Sequence, residues 1–479
     1  MLFRGIGRLG AAMRGASQYK AEYKNLARLG LPVVITQLGI IVVSFADTMM
    51  VARCGTAELA SAAFVNSIFM VAIVMQFGFA AGLTPLVGAL FSRGDKAGVG
   101  AMLKAGFYTN LAVSAAFTLI LGVIYFFVDR MGQSPDLMPL VRPYYLIMLC
   151  TLIPMAIFNS FQQTSNGCTD TATPMWLIIG SNALNIFGNW VLIGGELGMP
   201  RLGLSGAGLS TLIARVAAMA GILLIYLLTR SRRPYMEGWR QAGGSGHRER
   251  CREVWVTSYP VMIQSGIECF LWSFGGVVSG WFGKVQLASY QVVNTIAQLG
   301  FMIYMGLGVA TSIRVANLVG VRDFTGVRRI TTAGLHLILL LATGASLLFW
   351  LCFHPMVSLF TPDRAVQLAT VPLLLPLILY QYGDAVQLTY ANALRGTARV
   401  KPLLWVALLA YIVVGCPVIL WFAKGLDMHN VGVYYSFSIA LIVAAVLLWQ
   451  SYRRAVAWLE RQPAPAEDGE RIKAQKNAE

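Results

Sequence analysis

Charge is scarce in this chain. Only 12% of its 479 residues are Asp, Glu, Lys or Arg, where a soluble protein carries roughly 25%. A water-facing surface for a chain of this length cannot be built from so few. Cysteine is sparse and unpatterned. Seven residues without a CxxC spacing exclude a disulfide scaffold. The four histidines, His247, His336, His354 and His429, are too far apart for a metal-ligand motif. No GxxxxGK[ST] phosphate loop and no GxSxG nucleophile elbow occurs, so neither an ATPase engine nor a serine hydrolase is supported. GIGRLG at 5–10 fits GxGxxG, but no strand precedes it, and the match is fortuitous. The start lacks an unbroken apolar run because Arg4, Arg8 and Arg14 interrupt it. No cleavable signal peptide is expected.

What is abundant is apolar sequence: 57% of residues, with a mean hydropathy of +0.65. A spanning helix needs about 20 mostly apolar residues. About twelve stretches qualify, with cores at 31–52, 60–90, 101–128, 138–163, 173–194, 203–229, 254–282, 287–319, 330–353, 366–392, 402–423 and 431–452. The runs are continuous and do not alternate at period two, which argues against a β-barrel. The expectation is an all-α integral membrane protein.

The net charge of +16 is a topology signal. Loops on the side shared by both termini, with the termini themselves, hold 28 Lys and Arg; the opposite loops hold six. The positive-inside rule then makes both termini cytoplasmic, in a multi-pass protein of the cell inner membrane. Nucleic acid is not an expected partner; the lipid bilayer is. Residues 1–25 read as a cytoplasmic tail, either frayed or lying on the bilayer as a basic amphipathic segment. Residues 456–479 read as a disordered tail.

The chain repeats itself. LPVVI at 31–35 matches YPVMI at 259–263, and GTAELASAAFVNSI at 55–68 matches GKVQLASYQVVNTI at 283–296, both at an offset of 228. Without a gap, 18 of the 76 residues over 31–106 are identical to their partners. Two six-helix lobes follow, 26–229 and 253–455, joined by the basic linker 230–252. An even helix count per copy inserts both the same way, related by a pseudo-twofold axis along the membrane normal. Such lobes leave a cleft that rocking exposes to alternate sides, the architecture of a secondary transporter.

Three carboxylates fall inside span cores: Asp47, Glu268 and Asp384. Each costs roughly 2.5–3.5 kcal/mol to insert, and none has Arg or Lys within a helical turn. Burial in neutral form, or snorkelling at a boundary, is the bland account for any one of them. The fifth span offers Asn182, Asn185 and Asn189 on one face, and the sixth offers Thr211. With Asp47 these are hard oxygen donors suited to sodium or to a shared proton; interhelical amide pairing is the alternative. Glu268 is matched by Ile40 in the first copy, and Asp47 by Gly275 in the second. The scaffold duplicated and the ionisable sites diverged. In the eighth span Gln291, Asn294, Gln298 and Phe301 form one stripe, expected to face a wet cavity. Phe301 and Tyr304 offer π faces to a cation, or simply pack. Arg314 reads as a structural, snorkelling residue, and Arg215 has no partner that the sequence names.

With SFADTMMV, LNIFGNW, SGAGLSTLIAR, IECF, SIRVANLVG, YQYGDAVQ and ALRGTARVKP in view, the chain resembles the multidrug and toxic compound extrusion (MATE) family, in its NorM-type branch, over about 25–455. The resemblance implies efflux of organic cations, drugs or dyes, in exchange for Na+ or H+, with no covalent cofactor and no enzyme activity. It implies a cation site of Glu268 and Asp384 in the second lobe, with Tyr380 and Phe301 nearby. A second site in the first lobe would use Asp47, Asn185 and Asn189, with Thr211. Drug contacts are implied at Gln291 and Asp363. One departure stands out: NGCTDTATP at 166–174 lacks the Arg-Gly of this loop, whereas the second copy keeps Arg395-Gly396. Either coupling ion suits the residues, and the Asn pair favours sodium. The chain is expected to act as a monomer. Two other classes remain open: a lipid-linked oligosaccharide flippase on the same scaffold, which calls for a basic cleft, and a non-transporting assembly or sensor protein.

Overall fold

The computed structural model describes residues 2–462, with side chains from residue 19 onward. Among these residues the regular elements are all helical. Twelve helices are long and apolar enough to cross a membrane. They are α1 (Leu2–Ala52), α2 (Thr56–Ser92), α3 (Lys96–Tyr125), α4 (Pro135–Gly167), α5 (Ala172–Gly194) and α6 (Gly203–Leu228). After a short linker helix, α7 (Arg233–Gln241), come α8 (Gly244–Trp281), α9 (Lys284–Gly320) and α10 (Phe324–Phe360). The last three are α11 (Arg364–Gly396), α12 (Lys401–Gly425) and α13 (His429–Arg461). Two stretches of α12, Leu408–Gly415 and Trp421–Gly425, are wound wider, as π-helix.

The repeat is visible in local chemistry. Asp95 caps α3 by accepting from the Gly98 amide at 2.7 Å, and Asp323 caps α10 from the Gly326 amide at 2.8 Å. These pairs are 228 apart. Pro32 and Pro260, at the same offset, lie inside α1 and α8, where each removes a backbone hydrogen bond. The turns before the two Asp caps both need a left-handed residue. The first uses Gly94 (φ 77°), whereas the second forces Arg322 into that region (φ 61°), a strain of about 1–3 kcal/mol. The Arg322 guanidinium lies over the Phe324 ring at 5.7 Å.

The halves meet through small residues. A Cβ on Gly30 would sit 2.8 Å from Leu307, and one on Gly306 2.8 Å from the Val34 nitrogen, so α1 and α9 touch backbone to side chain. Gly78 and Gly82 of α2 face Ser265 and Ser258 of α8, and Gly88 faces Ala316 of α9. Near the helix ends the Arg93 guanidinium donates to the Gly320 carbonyl at 3.0 Å. All these cross-seam contacts fall in the helix segments nearest the basic loops.

A pocket between the halves is lined by residues of both. Phe77 and Met305 line it, as do Thr84 and Ser312, each pair 228 apart; Gln163 and Asn392, and Asn166 and Arg395, are pairs 229 apart. Paired residues at near-constant spacing around one cavity are what a twofold axis produces.

Three expected boundaries shift. Helix α1 starts at Leu2, so the tail 1–25 is continuous with the first span; the side chains on which an amphipathic face would rest lie outside the described ones. The linker 230–252 is mostly helical, because α7 docks on α3 and α8 begins at Gly244. Gly100 and Gly238 make that docking possible, since a Cβ on either would strike the other helix's backbone. The expected tail 456–479 is helical to Arg461, and 463–479 lie outside the described residues.

The linker also supplies what the 166–174 loop lacks. Arg232 pairs with Asp170 of that loop, and its guanidinium lies over the rings of Tyr226 (5.1 Å) and Tyr235 (5.9 Å). Burial beside this cluster pushes the Cys168 thiol up to about 12. Arg314 has a more specific anchor than snorkelling: Glu22 of α1 stands 3.7 Å from it and 3.9 Å from Arg329.

Candidate functional site

In the second half, helical spacing brings Gln264, Glu268 and Trp272 onto one face of α8. They meet Tyr380, Asp384 and Gln387 of α11. Glu268 Oε1 accepts three hydrogen bonds: from Gln264 Nε2 at 3.0 Å, Gln387 Nε2 at 3.2 Å and the Tyr411 hydroxyl at 3.4 Å. Tyr411 belongs to the wide segment of α12, and such segments often mark functional positions. Asp384 is 3% exposed and its Oδ2 has no protein partner. It stands within the electrostatic field of Glu268. Tyr380 is buried beside them and packs edge-on against Trp272, with ring centroids 5.3 Å apart. The Tyr304 hydroxyl is buried without a partner, as are both polar atoms of the Gln381 amide. Buried polar atoms normally find partners; here Asp384 Oδ2, the Tyr304 hydroxyl and both polar atoms of the Gln381 amide have none in the protein.

In the first half, Asn189 of α5 donates to the Asp47 carboxylate of α1. With the Asn185 amide turned to satisfy its surroundings, its nitrogen donates to Asp47 Oδ1 at 2.8 Å and its oxygen accepts from the Thr211 hydroxyl at 3.2 Å. Asn189 is fully buried and its Oδ1 is free of partners. Asp47, Asn185, Asn189 and Thr211 therefore form one cluster. Arg215, a turn beyond Thr211, donates to the Thr151 hydroxyl at 2.6 Å and lies within the field of Asp47 and Tyr144.

Two readings of the sequence change here. The acids are not remote from positive charge: Arg215 acts on Asp47, and Arg395 acts on Glu268 through Gln264, whose Oε1 accepts from Arg395 Nη2 at 3.2 Å. Distance along the chain hid both. None of the three acids forms an ion pair among the described residues. Arg215 likewise has the partners just named.

The remaining candidates do not join these clusters. Gln291 is exposed and Asn294 half-buried on α9. Phe301 packs at the edge of an apolar cluster with Ile338 and Leu388. Asp363 is a helix cap in the α10–α11 loop, accepting from the Ala365 amide at 2.9 Å. Sequence reasoning missed Gln387, Tyr411 and Arg395 as partners. Gln387 was within reach, three residues after Asp384 and on its face; Tyr411 depends on tertiary packing and had no local signal. No group of three or more His, Cys, Asp or Glu that could hold a metal ion occurs among the described residues. The donor sets are carboxylates with amide and hydroxyl oxygens, the ligand chemistry of hard cations.

The MatE family model matches residues 32–191 and 260–421. The two matches begin 228 apart, the offset of the repeat. The chain belongs to the MatE family, whose members are transporters and not enzymes. It is 26% identical over 454 residues to the multidrug resistance protein NorM of Aliivibrio fischeri, covering 93% of this chain and 96% of that one. A probable multidrug resistance protein NorM of Rhodopseudomonas palustris is 28% identical over 448 residues, covering 91% and 93%. Among solved structures, the outward-facing conformation of a multidrug resistance MATE family transporter of the MOP superfamily superposes with a TM-score of 0.84. It shares 18% identity, over 92% of this chain and 97% of that one.

Proposed function

We propose that this chain is a multidrug efflux antiporter that moves organic cations outward in exchange for Na+ or H+ moving inward. The observation that carries the reading is the Glu268–Asp384 pair, enclosed in the second half with one Asp384 oxygen unpartnered. A buried carboxylate without a fixed counter-ion attracts any cation that reaches it. In a cleft open to the outer side, the membrane potential favours entry of positive charge by about 2.3 kcal/mol per charge per 100 mV. A small cation seated between Glu268 and Asp384 cancels the field that held a cationic drug. Ion and drug then compete for the same negative charge, and that competition is the coupling. Tyr380 and Trp272 wall the site, while Gln264, Gln387 and Tyr411 hold the Glu268 carboxylate in place. Asp47 with Asn185, Asn189 and Thr211 forms a second cation site in the first half. Gln291, Asn294, Phe301, Tyr304 and Asp363 are proposed to meet the drug along the cleft. The 28-to-6 loop charge bias supports cytoplasmic termini in the inner membrane, and the enclosed two-half fold supports a working monomer.

The test is ethidium efflux in an E268Q/D384N double variant, with sodium and pH gradients imposed separately on proteoliposomes. Efflux is expected to fall to the empty-liposome level. Undiminished gradient-driven efflux removes the pair from the mechanism.

A further inference from the structure

We propose that Gln264 is a positioning residue that carries the occupancy of the Glu268 site to the seam between the halves, through Arg395. The inference rests on the coupling reading above and adds how cation binding reaches the moving parts.

The Gln264 amide is held at both ends by charge. Its nitrogen donates to Glu268 Oε1 at 3.0 Å, and its oxygen accepts from Arg395 Nη2 at 3.2 Å. Charge at each end fixes which way the amide points, since only the oxygen can accept and only the nitrogen can donate. Arg395 in turn lines the axial pocket, whose opposite wall carries Gln163 and Asn166 of the first half. Its Nε is buried without a partner, so the guanidinium is held incompletely by its own half.

The repeat supplies an independent argument. The first-half counterparts of Glu268, Gln264 and Arg395 are Ile40, Thr36 and Asn166. Thr36 instead donates to its own helix, at the Pro32 carbonyl, at 2.9 Å. Two positions a helical turn apart on α8 and a third on α11 all depart from the repeat, and in the second half the three touch in series.

A cation at Glu268 needs oxygen ligands, and the Gln264 amide oxygen is within a single rotation of it. Turning that oxygen toward the cation presents the NH2 group to Arg395. Two donors then face each other, a buried mismatch that costs as much as a lost charged hydrogen bond. Arg395 leaves for the Gln163 amide oxygen, which now accepts from the Thr84 hydroxyl at 2.7 Å and from Asn166 Nδ2 at 3.5 Å; taking it over breaks those first-half bonds and loosens the helices that flank the seam. The amide is thus a two-position element that both the site and the seam can bias.

The test is hydrogen–deuterium exchange of the full-length protein in detergent, read over 158–167 and 305–316, the helix segments flanking the pocket. Gln264→Met keeps the volume and frees Arg395. It is expected to exchange there about tenfold faster than wild type without any added sodium. Gln264→Glu ties Arg395 by an ion pair and is expected to stay protected when sodium replaces choline, while wild type shifts toward the Met pattern. Wild-type exchange in Gln264→Met, or sodium-induced opening of Gln264→Glu, overturns the proposal. If the Met variant does not fold, the Glu variant decides alone, because its predicted effect has the opposite sign. If the E268Q/D384N double variant still pumps, the coupling reading fails; if that variant is dead and the Gln264 variants exchange like wild type, only the relay fails.

Discussion

Gly82→Ala is a sharp probe of the seam. A Cβ at Gly82 would lie 2.7 Å from the Cα of Ser258, a backbone atom that no rotamer change can move aside. Ordinary contact begins at 3.4 Å, so α2 and α8 must part by about 0.7 Å there. Overpacking of this kind costs roughly 1–3 kcal/mol. The cost falls only on the conformation in which the two halves touch at the basic-loop end. A conformation that separates them there is relieved of it. The equilibrium between the two then shifts toward opening at that end by about 5- to 150-fold. Spin labels at Lys96 and Thr325, one exposed position on each half, report the change on a background lacking the seven native cysteines. The distance distribution is expected to gain a longer population in Gly82→Ala. Gly180→Ala is the control, because a Cβ there meets nothing within 4 Å. A Gly82→Ala distribution that matches wild type in a folded protein refutes the claim that this contact closes the seam.

Other outcomes follow from individual clusters. Asp47→Asn removes the only carboxylate of the first-half cluster; if that site contributes to coupling, gradient-driven efflux falls at least about tenfold while ethidium affinity, measured by fluorescence polarisation, stays near wild type. Arg232→Met leaves Asp170 without its buried partner and two rings without their cation, and is expected to lower stability by about 3 kcal/mol in thermal unfolding. Adding Asp170→Asn to it should restore part of that loss. At pH 8 a thiol whose burial places it at about 12 is thiolate only at the level of about one part in ten thousand. Cys168 is therefore expected to resist maleimide while Cys54, half-buried in the loop between α1 and α2, reacts, and its labelling should rise only as pH approaches that value; rapid labelling of Cys168 at pH 8 by mass spectrometry contradicts the burial.

Most of the architecture was legible because hydrophobic length and repeat offset are local, one-dimensional signals. The twelve spans, the 228-residue offset and the matched Asp95 and Asp323 caps all follow from residues read in order. The N-terminal cluster was legible too, since Asn185 and Asn189 share a face and only one acid, Asp47, lies in the first half's spans. Charge pairing was not. Arg395 reaches Glu268 from 127 positions away through Gln264, and Arg215 reaches Asp47 across two helices. No periodicity encodes which helices become neighbours. The helix within the linker was hidden for a related reason: Gly100 and Gly238 allow it to dock on α3, and Arg232 just before it pairs with Asp170 of the 166–174 loop. Close helix approach at a glycine leaves no mark on hydropathy.

The duplicated scaffold also constrains what the charged groups can be for. If the acids served folding alone, both halves, which share caps, prolines and the matched seam glycines Gly78 and Gly306, would need them at matching positions. They do not: Glu268 faces Ile40, and Asp47 faces Gly275 across the repeat. The axial pocket shows the same break, with Arg395 on one wall and Asn166 on the other. A symmetric cleft would hold a cation equally from both sides and would give no reason for one half to respond before the other. An asymmetric one, with Arg395 on the second-half wall alone, would pass a cation bound at Glu268 to the seam from one side. Transplanting the second half's three residues into the first, as Thr36→Gln, Ile40→Glu and Asn166→Arg together, should make both halves answer to the same ion. On this argument such a variant folds, because the seam glycines and caps are untouched, but transports more slowly than wild type. Efflux at or above the wild-type rate would show that the asymmetry is incidental.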